Sequence, residues 1–156
     1  MALEEAKTYL VNKGYGDRIR IFEVSSATVE LAAVAVGTEP ARIAKSLTFM
    51  VGEQPVMIIA AGNAKVSNSK YKAYFHKKAK MLTRDEVNAL IGHDVGGVCP
   101  FGIHDGVEVY LDVSLQRFDL VYPACGSSNS AVELTPNELD KLSGSKAWID
   151  VCEIPE

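Results

Sequence analysis

The stretch from residue 46 to 61, SLTFMVGEQPVMIIAA, constrains the fold most. Two apolar runs, 46–51 and 55–61, flank Gly-Glu-Gln, a connection of hairpin length. A hairpin this apolar has to be covered, so the rest of the chain must build a sheet and helices around it. The more apolar strand runs only from about Pro55 to Gly62, far short of the roughly 18 residues that a membrane helix needs.

The flanking segments supply those elements. Leu3, Ala6, Leu10 and Val11 recur at helical spacing and Gly14 stops the pattern, which predicts a helix over 3–13. RIRIFEV (18–24) suits a strand, and Thr28 to Val36 suits a buried helix ended by Gly37. Thr38 with Pro40 opens a short helical turn. Ser69 to His76 reads as a helix, and Thr83 with Glu86 forms a capping box for another that ends near Ile91. Strands are expected at 107–112, 119–124, 131–134 and 147–153, with a second capping box at Thr135-Pro-Asn-Glu138 opening a last helix. The order is mixed, with neither repeat nor linker. It predicts an α+β fold: a single domain over 1–156 with a mixed, largely antiparallel, barrel-like sheet flanked by helices.

Three widely spaced cysteines, Cys99, Cys125 and Cys152, argue against a disulfide framework and for a reducing compartment. The N-terminal MALEEAKTYL carries glutamates where a secretory signal carries positive charge, so a cytoplasmic location is expected. The net charge of −4 does not announce a nucleic-acid partner. Its distribution is more informative. KVSNSKYKAYFHKKAKMLTR (65–84) contains Lys65, Lys70, Lys72, Lys77, Lys78, Lys80 and Arg84 and no acid. Tyr71, Tyr74, Phe75 and His76 are interleaved. Such a segment can neutralise phosphates and stack on bases, or it is a solvated helix whose aromatics face the core.

Residues 92–106, GHDVGGVCPFGIHDG, hold most of the remaining chemistry. His93, Asp94, Cys99, His104 and Asp105 are all ligand types, yet no short chelating spacing occurs, so no metal site and no cofactor are expected. Neither glycine-rich phosphate motif is present. Cys99 would need a nearby base to act as a nucleophile, and a buried inert cysteine is the commoner case. What remains is backbone recognition: Gly96 and Gly97 let the main chain approach a ligand closely and direct N–H groups at a developing oxyanion. CGSSNSA (125–131) offers a second such turn. Lys45, at the lip of the first apolar strand, either reaches to solvent or supplies a fixed cation to a pocket.

The order of Ala41-Arg-Ile-Ala-Lys45-Ser-Leu-Thr-Phe49, Gly92-His-Asp-Val-Gly-Gly-Val-Cys-Pro-Phe-Gly102, Asp112-Val-Ser-Leu, and Gly126 leading to Ala131-Val-Glu-Leu-Thr-Pro136 resembles the YbaK/EbsC family. These proteins are stand-alone relatives of the editing domain inserted in prolyl-tRNA synthetases. The resemblance runs over nearly the whole chain from about residue 20. It implies hydrolysis of mischarged aminoacyl-tRNA of the Cys-tRNA(Pro) or Ala-tRNA(Pro) type. It matches Lys45 to the family lysine that engages the 3′-terminal adenosine, and Gly96, Gly97 and Pro100 to the loop that shapes the aminoacyl pocket. Substrate contacts are further expected from Phe22, Thr28, Ser46, Val98, Cys99, Phe101, Gly126, Ser127, Ser128, Asn129 and Ser130. The six lysines from Lys65 to Lys80 would meet the tRNA. The implied partners are a mischarged tRNA acceptor end and prolyl-tRNA synthetase, without DNA or membrane. The relatives often have serine or proline where Cys99 stands, and some have a carboxylate near Ser130 and Ala131 that this chain lacks. A competing reading is a non-catalytic module that binds aminoacyl-tRNA or a nucleotide. A third is a hydrolase using His93, Cys99 and His104 through a metal or a thiol.

Overall fold

The structure is a computed structural model that describes residues 2–155. Helix α1 (Ala2–Asn12) buries Ala6 and Leu10 completely and leads through a 3-10 turn to strand β1 (Ile19–Ile21). Helix α2 (Val29–Val36) begins where the Thr28 hydroxyl accepts a hydrogen bond from the Leu31 N–H, and it ends at Gly37, which takes the left-handed conformation at φ 85°.

The hairpin follows as β2 (Ile43–Val51) and β3 (Gln54–Ala61), paired antiparallel from Ala44↔Ala61 to Val51↔Gln54. The turn has two residues rather than three. Gly52 sits at φ 64° and Glu53 does not have positive φ, the pattern of a type II′ turn with glycine first. Met57, Ile58, Ile59, Ala60 and Ala61 are fully buried, so β3 is the spine of the molecule.

Two-residue β4 (Lys65–Val66) precedes α3 (Asn68–Phe75), and α4 (Arg84–Glu86) starts at the Thr83/Glu86 capping box. The expected helix to Ile91 continues as a π turn over Val87–Ile91. Then come β5 (Glu108–Asp112), β6 (Tyr122–Pro123), β7 (Ser130–Val132), α5 (Pro136–Ser143), β8 (Trp148–Ile149) and β9 (Cys152–Glu153). The main sheet has the order β6-β2-β3-β5-β8, and antiparallel ribbons β1-β7 and β4-β9 flank it.

The antiparallel character expected from the sequence belongs to the hairpin and the two ribbons. The β2–β6, β3–β5 and β5–β8 pairs are parallel. The expected strand at 147–153 is two strands in different sheets. The buried Asp112 carboxylate accepts from the Val151 and Ser114 amides, at 2.9 Å each, and pins the chain where it changes sheets. Aromatic contacts tie α3 to the sheet: Phe49–Tyr71 at 5.1 Å, Tyr71–Phe75 at 4.7 Å and Phe75–Tyr110 at 5.4 Å. No helix among the described residues is long and apolar enough to cross a membrane.

Candidate active site

A cavity of about 300 Å³ opens at the outer edge of β2. The strand register explains why the gap is there. Met50 and Pro55 form a non-hydrogen-bonded pair of the hairpin, so the Met50 N–H points outward, to the Lys80 carbonyl at 2.8 Å. Two residues back, the Thr48 carbonyl accepts from the Leu82 N–H at 3.1 Å. On the same edge Ala44 pairs with Pro123 of β6, and there the β6 pairing ends. Ser46 lies between these two covers. By the alternation of the strand its N–H and C=O face the same edge, without a neighbouring strand to take them.

The walls are the chain entering α2 (Ser26 to Val29), Met81 and Leu82, Val95 to Val98 except Gly97, and Tyr122, Ala124, Ser130 and Ala131. Among the described residues no acid, histidine or cysteine lines the cavity, and the ionisable groups there are Lys45 and Tyr122. The Tyr122 hydroxyl already donates to Glu133 at 3.1 Å.

Lys45 holds the neighbouring turn. Its ammonium donates to the carbonyls of Gly62, at 3.3 Å, and Ala64. A lysine ammonium has three donors, so one remains for a ligand. Burial lowers the Lys45 pKa and nearby Lys65 adds to that, while Cys152 and Glu30 act in the opposite direction. Gly62 cannot carry a side chain, because a Cβ there would sit 2.1 Å from the Pro40 carbonyl oxygen and 2.7 Å from Val29. Lys45 is thus clamped to a tight backbone crossing beside the cavity.

The glycine loop and the 126–128 turn are notched together. A Cβ on Gly97 would lie 2.5 Å from the Ser127 nitrogen and 2.7 Å from its Cα. Gly96, at φ 101°, reaches the cavity. The other residues of the loop divide sharply. Val98 lines the cavity, whereas Gly97, Cys99, Pro100 and Phe101 lie buried behind it. Cys99 therefore does not form the wall expected from the sequence. It is fully buried, with Sγ 3.5 Å from His93 Nε2 and 3.7 Å from the Phe101 carbonyl. Burial pushes its thiol far up, Cys125 up to about 11 and Cys152 up to about 12, so the three thiols stay protonated near neutral pH. His93 is held below the ordinary imidazole range, chiefly by burial, and its Nε2 engages the Phe101 carbonyl at 2.9 Å. His104 faces the Ala89 carbonyl at 3.2 Å. His93 and the Cys99 thiol fasten the loop to the core, while the exposed His104 ties it to the 87–91 turn.

Phe101 packs on Tyr9 inside the core rather than on a ligand. Phe22 pairs its main chain with Asn129, through Phe22 N–H to Asn129 carbonyl at 2.7 Å and Asn129 Nδ2 to Phe22 carbonyl at 3.1 Å. Of Gly126 to Ser130, only Ser130 lines the cavity. The others shape the turn behind it: Gly126 takes φ 85°, the Ser127 hydroxyl donates to Ser130 Oγ at 2.7 Å, and the Ser128 carbonyl accepts from the Ser26 amide at 2.6 Å. Thr28 and Ser46 are in the lining. Sequence reasoning missed Ser26, Ala44, Thr48, Met81, Val95 and Tyr122, which also line it. Ala44 and Thr48 were within reach, since they share a strand face with Ser46 by a period of two. Met81 and Tyr122 arrive through pairings with no local signal.

The basic segment splits by function. Tyr71 is fully buried and Phe75 packs on Tyr110, so these aromatics serve the core and are not free to stack on bases. Lys70 is engaged by Asp150 at 3.1 Å and the Cys152 carbonyl at 3.0 Å. Lys65, Lys72, Lys77, Lys78 and Lys80 are exposed, and Lys80 directly precedes Met81 at the cavity.

The chain resembles known proteins along nearly its whole length. The chain is 52% identical over 154 residues to the uncharacterized Bacillus subtilis protein YwhH, covering 98% of each. It is 29% identical over 121 residues to EbsC of Enterococcus faecalis, a candidate Cys-tRNA(Pro)/Cys-tRNA(Cys) deacylase, covering 76% of this chain and 74% of that one. A solved structure described as a candidate trans-editing enzyme for prolyl-tRNA synthetase superposes with TM-score 0.88 at 28% identity, covering 97% of both chains. The profile of the aminoacyl-tRNA editing domain matches residues 23–142, and the chain belongs to that family.

Proposed function

We propose that this protein is a trans-editing hydrolase of the cytoplasm that deacylates tRNA mischarged with a small amino acid, of the cysteine or alanine size. Prolyl-tRNA synthetase is the candidate partner. One observation carries the reading: a cavity of about 300 Å³ whose lining offers main-chain groups, hydroxyls and one lysine but no acid, histidine or thiol. An aminoacyl ester is already activated, so a site that hydrolyses it needs chiefly to orient it and hold the developing oxyanion. Water adds to the ester carbonyl, the bond to the ribose oxygen breaks, and that oxygen takes up the proton the water gives up, leaving the free amino acid and the ribose hydroxyl. The spare Lys45 donor anchors the nucleoside end. The open Ser46 N–H and the Gly96 region of the loop frame the carbonyl, while Gly97 and Pro100 set the loop's shape from behind.

The tRNA body would run over Lys77, Lys78 and Lys80, with Lys65 and Lys72 beyond. Lys77→Glu/Lys78→Glu is expected to weaken tRNA binding and reduce the log–log salt slope by roughly 0.7 to 0.9 per lost contact. Hydrolysis of a minimal aminoacyl-adenosine should stay within about twofold of wild type, since neither residue lines the cavity. Equal losses on both substrates would remove this stretch from the tRNA path.

The lack of a general base in the lining equally suits a non-catalytic module that binds aminoacyl-tRNA. The same pair of assays separates the two readings. Hydrolysis of both substrates by wild type supports the hydrolase, and salt-dependent binding without hydrolysis of either supports the module.

A further inference from the structure

We propose that Ser26 and Ser46 form a hydroxyl-recognising wall of the cavity, which makes a short hydroxyl-bearing aminoacyl group, a seryl ester, the preferred substrate over alanyl and cysteinyl esters. This rests on the cavity being the aminoacyl site. Two independent observations carry it. The Ser26 and Ser46 hydroxyls are both buried without a hydrogen-bond partner among the described residues, and both residues line the cavity. Ser26 is only 7% exposed. A buried hydroxyl without a partner is costly, and a rotation about χ1 can turn the hydroxyl of a cavity-lining serine toward a ligand that completes it. The second observation is the gap in the sheet edge, which leaves the Ser46 main chain open on the same side as the cavity.

These groups differ in what they can recognise. An α-ammonium only donates, and the open Ser46 carbonyl is an acceptor for it. A hydroxyl both donates and accepts, which is the complement of two serine hydroxyls. A methyl group can satisfy neither, and a thiol is a weak donor and a weak acceptor. The absence of any acid in the lining removes the alternative of an ion pair at this wall.

The test is kcat/KM for seryl-, alanyl- and cysteinyl-tRNA with wild type, Ser26→Ala, Ser46→Ala and the double variant, with thermal melts of each. Wild type is expected to favour the seryl ester. Each substitution should cost the seryl ester about 3- to 10-fold more than it costs the alanyl ester, the value of one neutral hydrogen bond. The variants should melt at the wild-type temperature or above, because each loses an unpartnered buried hydroxyl. Hydrolysis of the alanyl ester with no seryl preference, or equal losses on all three, would overturn this inference and leave the editing reading standing. Hydrolysis of none by wild type would overturn the editing reading, and this one with it. Variants that melt well below wild type would show the hydroxyls to be structural, which also overturns it.

Discussion

Lys45→Ala is expected to slow deacylation by about 100- to 1,000-fold, the usual loss when one preorganised donor leaves a water-poor site. The ammonium sits at the edge of the cavity with two of its donors on the Gly62 and Ala64 carbonyls and one free. Alanine removes the free donor and releases the turn that carries those carbonyls. Gly62 is partly exposed but Ala64 is fully buried, so the abandoned acceptors should cost about 1–3 kcal/mol, and the fold should survive. Lys45→Arg tests geometry separately from charge. It keeps the cation, but a planar fork cannot reproduce both carbonyl bonds of a compact ammonium, so it should recover only part of the rate. Circular dichroism melts beside single-turnover rates decide the matter. Near-wild-type turnover by a folded Lys45→Ala would remove the lysine from the mechanism.

Gly97→Val should be the most damaging change in the loop, and Cys99→Ser one of the mildest for catalysis. A Cβ at Gly97 meets main-chain atoms of Gly126 and Ser127 at 2.5–2.8 Å, and no side-chain rotation relieves that contact. The loop and the 126–128 turn must separate, which displaces the cavity-lining Gly96 and Ser130 relative to each other. Overpacking of this kind costs about 1–3 kcal/mol or more, and activity should fall at least about 100-fold. Gly97→Ala should show most of the same loss, because the clash begins at Cβ. Cys99→Ser changes a fully buried, protonated thiol that lies outside the cavity lining. It should cost about 1–2 kcal/mol of stability and leave hydrolysis largely intact. If Cys99→Ser abolished turnover while Gly97→Val was harmless, the loop would be a thiol site.

The fold was legible where local chemistry decides it. The apolar hairpin, the Thr83 and Thr135 capping boxes, and Gly37 closing α2 all follow from neighbouring residues. Strand partners were not. Whether β5 lies parallel or antiparallel to β3 depends on the crossover path, and the break before Val151 depends on a carboxylate 39 residues earlier, at Asp112. The site divides the same way. Ser46 and Gly96 belong to motifs that can be quoted from the sequence. Cys99 stands in the same motif, but the loop turns it inward against His93, and nothing local distinguishes a cavity-facing residue from its buried neighbour. Ser26 had no signal at all, because what marks it is a missing partner in three dimensions.

The most direct test of the central claim is single-turnover hydrolysis of tRNA(Pro) charged in turn with alanine, cysteine, serine and phenylalanine, each against its spontaneous rate in buffer. A cavity of about 300 Å³ with hydroxyl and backbone donors predicts enzyme-dependent release of at least one of the three small amino acids, with a larger acceleration than for the phenylalanyl ester. Binding of all four tRNAs with every ester decaying at its spontaneous rate would contradict it.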